Sequence, residues 1–176
     1  MRVVAGRLGG RRFVSPRGHR THPMSDKMRG ALFNSLGDID GLTVLDAFAG
    51  SGALGFEAAS RGAADVIALD KDRQAQKAIE SNISELGLQK KIKLVKASAN
   101  AWLSTSDELF DIVLCDPPYE DPQPPLLSKL AERVKTGGIV ALSLPPDLDP
   151  RLDERFERIL DKDYGDGQLV FYRRIA

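Results

Sequence analysis

An α/β fold built on a mostly parallel sheet is what this sequence predicts, on three observations. From Leu42 onward, short apolar runs alternate with longer amphipathic stretches, and such alternation gives a parallel sheet with helices on both faces. A glycine-rich turn, Gly50-Ser51-Gly52-Ala53-Leu54-Gly55, follows the first of these runs and opens a helix. Near the end, two apolar runs flank Gly165-Asp166-Gly167, the pattern of a closing antiparallel hairpin.

The elements follow in order. Arg2-Val3-Val4-Ala5-Gly6 and Arg11-Arg12-Phe13-Val14 read as two short strands of a small hairpin, with Gly6, Gly9 and Gly10 at or between them. Pro16 to Pro23 is a turn-rich link. The expected organisation is therefore a basic N-terminal hairpin arm over residues 1–23 and an α/β domain over 24–176. Ser25-Asp26 offers an N-cap to a helix whose apolar positions are Met28, Leu32, Phe33 and Leu36, with Gly37 as its stop. Strands are expected at Leu42–Ala47, Asp65–Leu69, Ile92–Lys96, Asp111–Cys115 and Ile139–Leu144. Helices are expected at Ala53–Arg61, Arg73–Leu86, Ala99–Leu103 and Pro125–Val134. Gly62, Gly87 and the pair Gly137-Gly138 read as helix stops. Phe156–Leu160 and Leu169–Arg173 form the final hairpin.

Composition narrows the function classes. A chain of 176 residues with 42% hydrophobic content is one ordinary domain with a real core. No apolar run approaches the ~20 residues of a membrane span, and Met1 is not followed by an apolar signal core. Cys115 is the single cysteine; it excludes an internal disulfide, suits a reducing cytoplasm, and lies in an apolar strand as a small core residue. Two histidines and one cysteine make no metal-ligand spacing, so no metal is expected. Net charge is zero, but residues 1–30 carry eight basic side chains against one acid, Asp26. The other 146 residues carry 17 basic and 24 acidic side chains. That asymmetry predicts a nucleic-acid-facing arm on an acidic body, and the arm is mostly arginine, the better phosphate fork.

Two motifs carry chemistry. In Asp46-Ala47-Phe48-Ala49-Gly50-Ser51-Gly52-Ala53-Leu54-Gly55 the glycines let the backbone turn tightly and approach a ligand, and the helix N-terminus offers N–H groups to an anionic end. Asp70, 24 residues after Asp46, ends the second strand, where a carboxylate accepts the hydroxyls of an adenosine ribose. Asp72 is the other acid there, or the N-cap of the next helix. These features suit NAD and S-adenosylmethionine equally. Asp116-Pro117-Pro118-Tyr119 breaks the tie. It ends the apolar strand at Cys115, and open α/β sheets bind ligands at the carboxyl ends of their strands. The prolines donate no backbone N–H, so carbonyls there stay free to accept. A carboxylate, free carbonyls and an aromatic face form a grip for an exocyclic amino group of a nucleobase taken out of its stack. Such a corner has no role in hydride transfer, and no room follows the sheet for an oxidoreductase substrate domain.

At these residues the chain resembles a class I S-adenosylmethionine-dependent methyltransferase, and more narrowly the RsmD-type small-subunit (16S) ribosomal RNA guanine-N2 methyltransferases. Three blocks carry the resemblance, which covers almost the whole chain: His22-Pro23-Met24-Ser25-Asp26-Lys27-Met28-Arg29 with Ala31-Leu32-Phe33-Asn34; Asp46 to Gly55 with Glu57-Ala58; and Asp116-Pro117-Pro118-Tyr119. His22, Gly30 and Ser98-Ala99 depart from the family pattern, which has an arginine, an acidic residue and an Asn/Asp-Ala pair there. The resemblance implies a Rossmann-like sheet of seven strands with the last antiparallel. It implies catalysis by Asp116, Pro117, Pro118 and Tyr119. S-adenosylmethionine would be held by Asp46, Phe48, Gly50, Ser51, Gly52, Gly55, Asp70, Lys71, Ser98 and Ala99, with Met24 and Ser25. Ribosomal RNA, naked or in a small-subunit particle, would be held by Arg7, Arg11, Arg12, Arg20, His22, Lys27 and Arg29. A cytoplasmic monomer is expected. An adenine-N6 methyltransferase sharing the Asp-Pro-Pro-Tyr corner is the alternative.

Overall fold

The computed structural model describes residues 1–18 and 23–176. After the helix α1 (Asp26–Leu36) the chain runs β1 (Thr43–Asp46), α2 (Ala53–Ser60), β2 (Asp65–Leu69), α3 (Arg73–Glu85), β3 (Ile92–Val95), α4 (Ala99–Leu103), β4 (Phe110–Cys115), α5 (Pro124–Ala131), β5 (Val134–Leu144), β6 (Phe156–Asp163) and β7 (Gln168–Arg174). One seven-stranded sheet has the order β3-β2-β1-β4-β5-β7-β6. β1 to β5 are parallel, and β7 is antiparallel to both β5 and β6. This is the Rossmann-like, seven-stranded architecture expected.

The order reverses between β1 and β4, each being the other's neighbour while their crossovers run to opposite sides. The reversal opens a crevice at the carboxyl ends of these two strands, the usual ligand position in such sheets. The glycine-rich loop after β1 and Asp116 after β4 therefore arrive side by side.

Each sheet face has its own core. One is built from α1, α2 and α3 with Val3, Leu8 and Phe13. The other joins α4 and α5 through Trp102, Leu127 and Leu130. Trp102 packs against Phe110, with ring centroids 6.0 Å apart, as a core residue.

Residues 1–18 are built into the first core and are not the appended arm expected. The expected hairpin is present in minimal form: an antiparallel bridge joins Arg2 to Arg12, flanked by Val3 N–H to the Arg11 carbonyl at 2.9 Å, Gly10 N–H to the Val3 carbonyl at 2.8 Å and Phe13 N–H to the Met1 carbonyl at 3.0 Å. What holds the segment is polar. The Val4 and Ala5 N–H groups donate to the buried Glu57 carboxylate at 2.8 and 3.0 Å. The Leu8 N–H donates to Ser60 Oγ at 2.8 Å, and Asn82 exchanges hydrogen bonds with the backbone of Val14. Paired to helices, these groups have no need of a second strand.

Gly137-Gly138 also differs from expectation. α5 ends at Ala131, and both glycines lie inside β5. Between the pairs Phe110–Val134 and Ile112–Ile139, β4 advances two residues while β5 bulges. Gly137 has φ 86° there, and a Cβ on Gly138 would sit 2.5 Å from the Asp111 carbonyl oxygen. Glycine at a bulge and glycine at a helix stop satisfy the same backbone need, which a single sequence does not separate.

Candidate active site

A cavity of about 760 Å³ opens at the carboxyl ends of β1, β2 and β4, within the usual size of a small-molecule site. Its walls contain Asp116, Pro117, Pro118 and Tyr119 on one side and Phe48, Gly50, Ser51, Asp70, Lys71, Ser98 and Ala99 on the other. Met24 and Ser25, at the start of α1, close a third side.

The glycine loop divides its labour. Gly50 (φ 54°) lines the cavity. Gly52, at φ 84°, faces inward, and a Cβ there would lie 2.6 Å from the Phe56 ring. Gly55 packs α2 on the sheet, its Cβ position 3.5 Å from Val66. Asp46 also lies beneath the cavity, not in its wall. Fully buried, it accepts the Gly55 N–H at 3.2 Å and braces the loop, correcting its expected contact with a cofactor. Its Oδ1 has no hydrogen-bond partner. Burial first, and then the Asp116 charge, push its pKa up to about 7.

Asp70 is a shaped acceptor. One carboxylate oxygen takes the Gly50 N–H at 2.7 Å and the other the Asp72 N–H at 2.8 Å. A carboxylate has about four lone-pair sites, so two remain for a pair of hydroxyls. Asp72 is the N-cap of α3, accepting from Ala75 N–H at 2.8 Å. Ser98 likewise caps α4 by accepting from Ala101 N–H at 3.1 Å while still facing the cavity.

At the other end, burial pushes the Asp116 carboxyl up to about 6, against the nearby Ser143 hydroxyl, which pulls it down. The Tyr119 hydroxyl lies 2.8 Å from Ser143 Oγ. Burial chiefly, with the charges of Asp116 and Asp166, raises the Tyr119 phenol, again against the Ser143 bond. Cys115 is buried and its thiol is pushed far up by burial, so it is a core residue. Among the described residues no cluster of three His, Cys, Asp or Glu side chains forms a metal site.

Ser143, Asp166 and Gln123 line the cavity and were not legible in the sequence. Ser143 sits inside an apolar strand. Asp166 reads as a turn residue. Gln123 is the one non-glycine residue with positive φ among those described (50°). Its placement before two prolines is the only hint of strain.

The expected RNA contacts separate sharply. Arg7, Arg11, Arg12 and Lys27 are exposed and outside the cavity. Arg20 and His22 lie outside the described residues. Arg29 is fully buried: it bonds the Arg2 carbonyl at 2.6 Å and Asp26 at 2.8 Å, and its Nε is 3.5 Å from Glu57. It is a structural cation under the N-terminal segment and not a surface contact, sharing the charge of the buried Glu57 carboxylate with Arg61, whose Nε donates to it at 3.1 Å.

With this geometry in place, comparison with other proteins is informative. A family model described as "Conserved hypothetical protein 95" matches residues 1–173. YlbH of Bacillus subtilis, provisionally named an rRNA methyltransferase, is 37% identical over 125 residues, covering 69% of this chain and 68% of that one. Ribosomal RNA small subunit methyltransferase D of Escherichia coli is 34% identical over 120 residues, covering 68% and 60%. The chain belongs to this RsmD-type methyltransferase family. The aligned stretch thus spans roughly two thirds of the length of these relatives. The solved structure of YhhF from Escherichia coli, provisionally named a methyltransferase, superposes with a TM-score of 0.89 at 27% identity, over 100% of this chain and 98% of that one.

S-adenosylmethionine is the methyl donor of this family, and the residues present fit it. Asp70 keeps acceptors for a ribose diol, half-buried Phe48 gives an apolar wall, and Gly50 brings backbone close. Asp116 and Tyr119 lie across the same cavity.

Proposed function

We propose that this chain transfers a methyl group from S-adenosylmethionine to the exocyclic N2 amino group of a guanine in small-subunit ribosomal RNA. One observation carries the reading: Asp116, Pro117, Pro118 and Tyr119 share one cavity with the Asp70 carboxylate. The names of the relatives supply the RNA class. The exposed Arg7, Arg11, Arg12 and Lys27 supply cationic groups for phosphates.

When bound, S-adenosylmethionine supplies an electrophilic methyl group on a sulfonium. An exocyclic nitrogen on guanine is a weak nucleophile, since its lone pair is delocalised into the ring. The Asp116 carboxylate and the Pro117 carbonyl accept its two hydrogens and turn the lone pair toward the methyl. As positive charge grows on nitrogen, the Asp116 charge stabilises it in a site shielded from water. Asp116 then takes the released proton. Tyr119 stacks on the extruded base, an interaction worth ~1–3 kcal/mol. A single domain offers little surface for reading RNA, which favours an assembled particle in the cytoplasm as substrate and a monomer as the working form.

The test is to incubate the protein with methyl-labelled S-adenosylmethionine and either naked small-subunit RNA or particles lacking the modification. The RNA is digested to nucleosides, and the labelled one is identified by mass spectrometry. Labelled N2-methylguanosine is the expected result, with particles the better substrate. Labelled methyladenosine would reject the guanine assignment and move the chain to the adenine-N6 alternative.

A further inference from the structure

The turn between β6 and β7 reaches the acceptor end of the cavity. Tyr164 and Gly167 flank it, the Tyr164 N–H donating to the Gly167 carbonyl at 2.8 Å, so Gly165 and Asp166 alone form the loop. Gly165 has φ 85°, a positive value that Asp166 does not share. A two-residue loop with positive φ at its first position only is the Gly-X hairpin turn, whose twist matches the strands it joins. Asp163 braces it by accepting the Gly165 N–H at 2.7 Å. The turn is therefore a fixed mount, and the side chain at its tip is Asp166.

Two observations bring that side chain to the acceptor. Asp166 stands in the wall of the same cavity as Asp116 and Tyr119. Its neighbour Gly167 backs the Tyr119 ring: a Cβ there would lie 2.5 Å from the phenol oxygen and 3.1 and 3.2 Å from two ring carbons. Ser143 Oγ, 2.8 Å from the same phenol oxygen, holds the ring from β5. Asp166 is thus mounted beside the ring on which a base would stack. Asp163 spends its carboxylate on the turn's own backbone; among the described residues the Asp166 carboxylate has no such partner.

We infer that Asp166 selects guanine, by accepting the N1–H that neighbours the 2-amino group. The inference rests on the proposed reading of Asp116 and Tyr119 as the seat of the acceptor base.

Chemistry gives the sign. The Watson–Crick edge of guanine carries two adjacent donors, the 2-amino group and N1–H. In the proposed mechanism Asp116 and the Pro117 carbonyl take both amino hydrogens, which leaves N1–H to be met. An ionised carboxylate is acceptor-only, so a second one at the cavity wall fits that donor. Adenine has a lone pair at N1 beside its 6-amino group, and a carboxylate there meets it with repulsion. Enzymes that flip a base read it along this edge, and a site built to bond a donor N–H strongly rejects an analogue that lacks it. The Asp116 corner grips any exocyclic amino group; Asp166 adds the distinction between the two purines. Glu120 and Asp121 also line the cavity, but they leave the corner with the chain toward α5, whereas Asp166 arrives on the turn that backs the ring.

The experiment maps the methylated guanine by fragment mass spectrometry and replaces it, in reconstituted small-subunit particles, with 2-aminopurine. That base keeps the 2-amino group but has a lone pair at N1. Wild type is expected to favour guanine by about 10- to 100-fold in kcat/KM, the scale of one hydrogen bond to a charged group. Asp166→Asn brings the ratio close to one, chiefly by raising activity on 2-aminopurine, because an amide can turn its oxygen to N1–H or its NH2 to the lone pair. A gain on the poorer substrate is not what a merely structural role would produce. Asp166→Glu keeps the preference for guanine, and adenosylhomocysteine binds all three proteins alike. A wild-type ratio near one overturns the inference, as does an unchanged ratio in Asp166→Asn, or a ratio closed by Glu120→Gln or Asp121→Asn in its place. Failure of the underlying reading shows in a different product: label on adenine of the unsubstituted particle removes that reading and this one with it, whereas labelled guanine with an unchanged ratio in Asp166→Asn removes Asp166 alone.

Discussion

On the proposed mechanism Asp116→Ala removes the acceptor of the amino hydrogens and is expected to abolish methylation while adenosylhomocysteine still binds, because the proposed ribose acceptor, Asp70, lies across the cavity. Near-normal turnover of that variant would remove Asp116 from the mechanism. The same carboxyl sets the pH dependence. With its pKa at about 6, the acceptor is lost as pH falls through that value, so kcat measured from pH 8 down to 5 declines on the acid side. Two arginines close in sequence give opposite outcomes. Arg12 is exposed, and Arg12→Ala leaves the fold intact. Arg29→Ala takes from the buried Glu57 one of its two cations, leaving Arg61, and empties a fully buried side-chain site, and the loss is expected to be ~3–5 kcal/mol in denaturant unfolding. At this scale the sequence reveals residues whose role is local. Asp116-Pro117-Pro118-Tyr119 is legible because its four residue types together state a chemistry. Arg29 is not, since its burial depends on Glu57, 28 residues away. Ser143 is hidden for a related reason: a serine in an apolar strand looks like filler until the tyrosine it holds is folded against it.

Among the elements, α2 does most to assemble the molecule. Its N-terminus carries the glycine loop, its interior Glu57 anchors residues 4 and 5, and its Ser60 meets the turn at Gly6. Gly6, at φ 81°, has the Ser60 carbonyl oxygen 2.2 Å from where a Cβ would stand. Gly6→Ala is thus expected to cost ~1–3 kcal/mol or more through strain and displacement, and to raise protease sensitivity in residues 1–18. Unchanged proteolysis would mean that the segment is held elsewhere. Strand and helix positions from Leu42 to Cys115 follow periodicity closely, because each is a short apolar run bounded by glycine or a cap. The hold of α2 and α3 on the N-terminal segment and the end of α5 do not. There the pairing partner, a helix side chain or a neighbouring strand's bulge, is remote in sequence, and local pattern holds no record of it.

For the whole molecule, the two raised carboxyls set stability against activity. Asp46 and Asp116, at about 7 and about 6 against an ordinary 3.8, keep protons in the native state that the unfolded chain has already lost. Between those values the unfolded state binds fewer protons, so their contribution to stability falls as pH rises. Thermal unfolding between pH 5 and 8 is expected to show Tm falling with pH. Asp46→Asn, whose amide gives the unpartnered Oδ1 position a neutral group, is expected to flatten that slope. The activity proposed for Asp116 runs the other way and is expected to be highest where these groups stabilise the fold least. RNA binding belongs to this scale too. Replacing Arg7, Arg11 and Arg12 together is expected to weaken RNA binding and flatten its dependence on salt. An unchanged slope would assign those side chains to solvent alone.

The position of β7 between β5 and β6 has a further consequence, for the order in which the enzyme becomes competent during synthesis. Everything that shapes the cofactor side of the cavity, from Met24 to Ala99, precedes β4 in the chain. A Cβ on Gly167 would lie 2.5 Å from the Tyr119 hydroxyl oxygen, so this glycine backs the ring, yet it comes 48 residues later in the chain. A nascent chain can shape the Met24–Ala99 wall of the cavity early, but the wall that holds Tyr119 is complete only once β7 has inserted between β5 and β6.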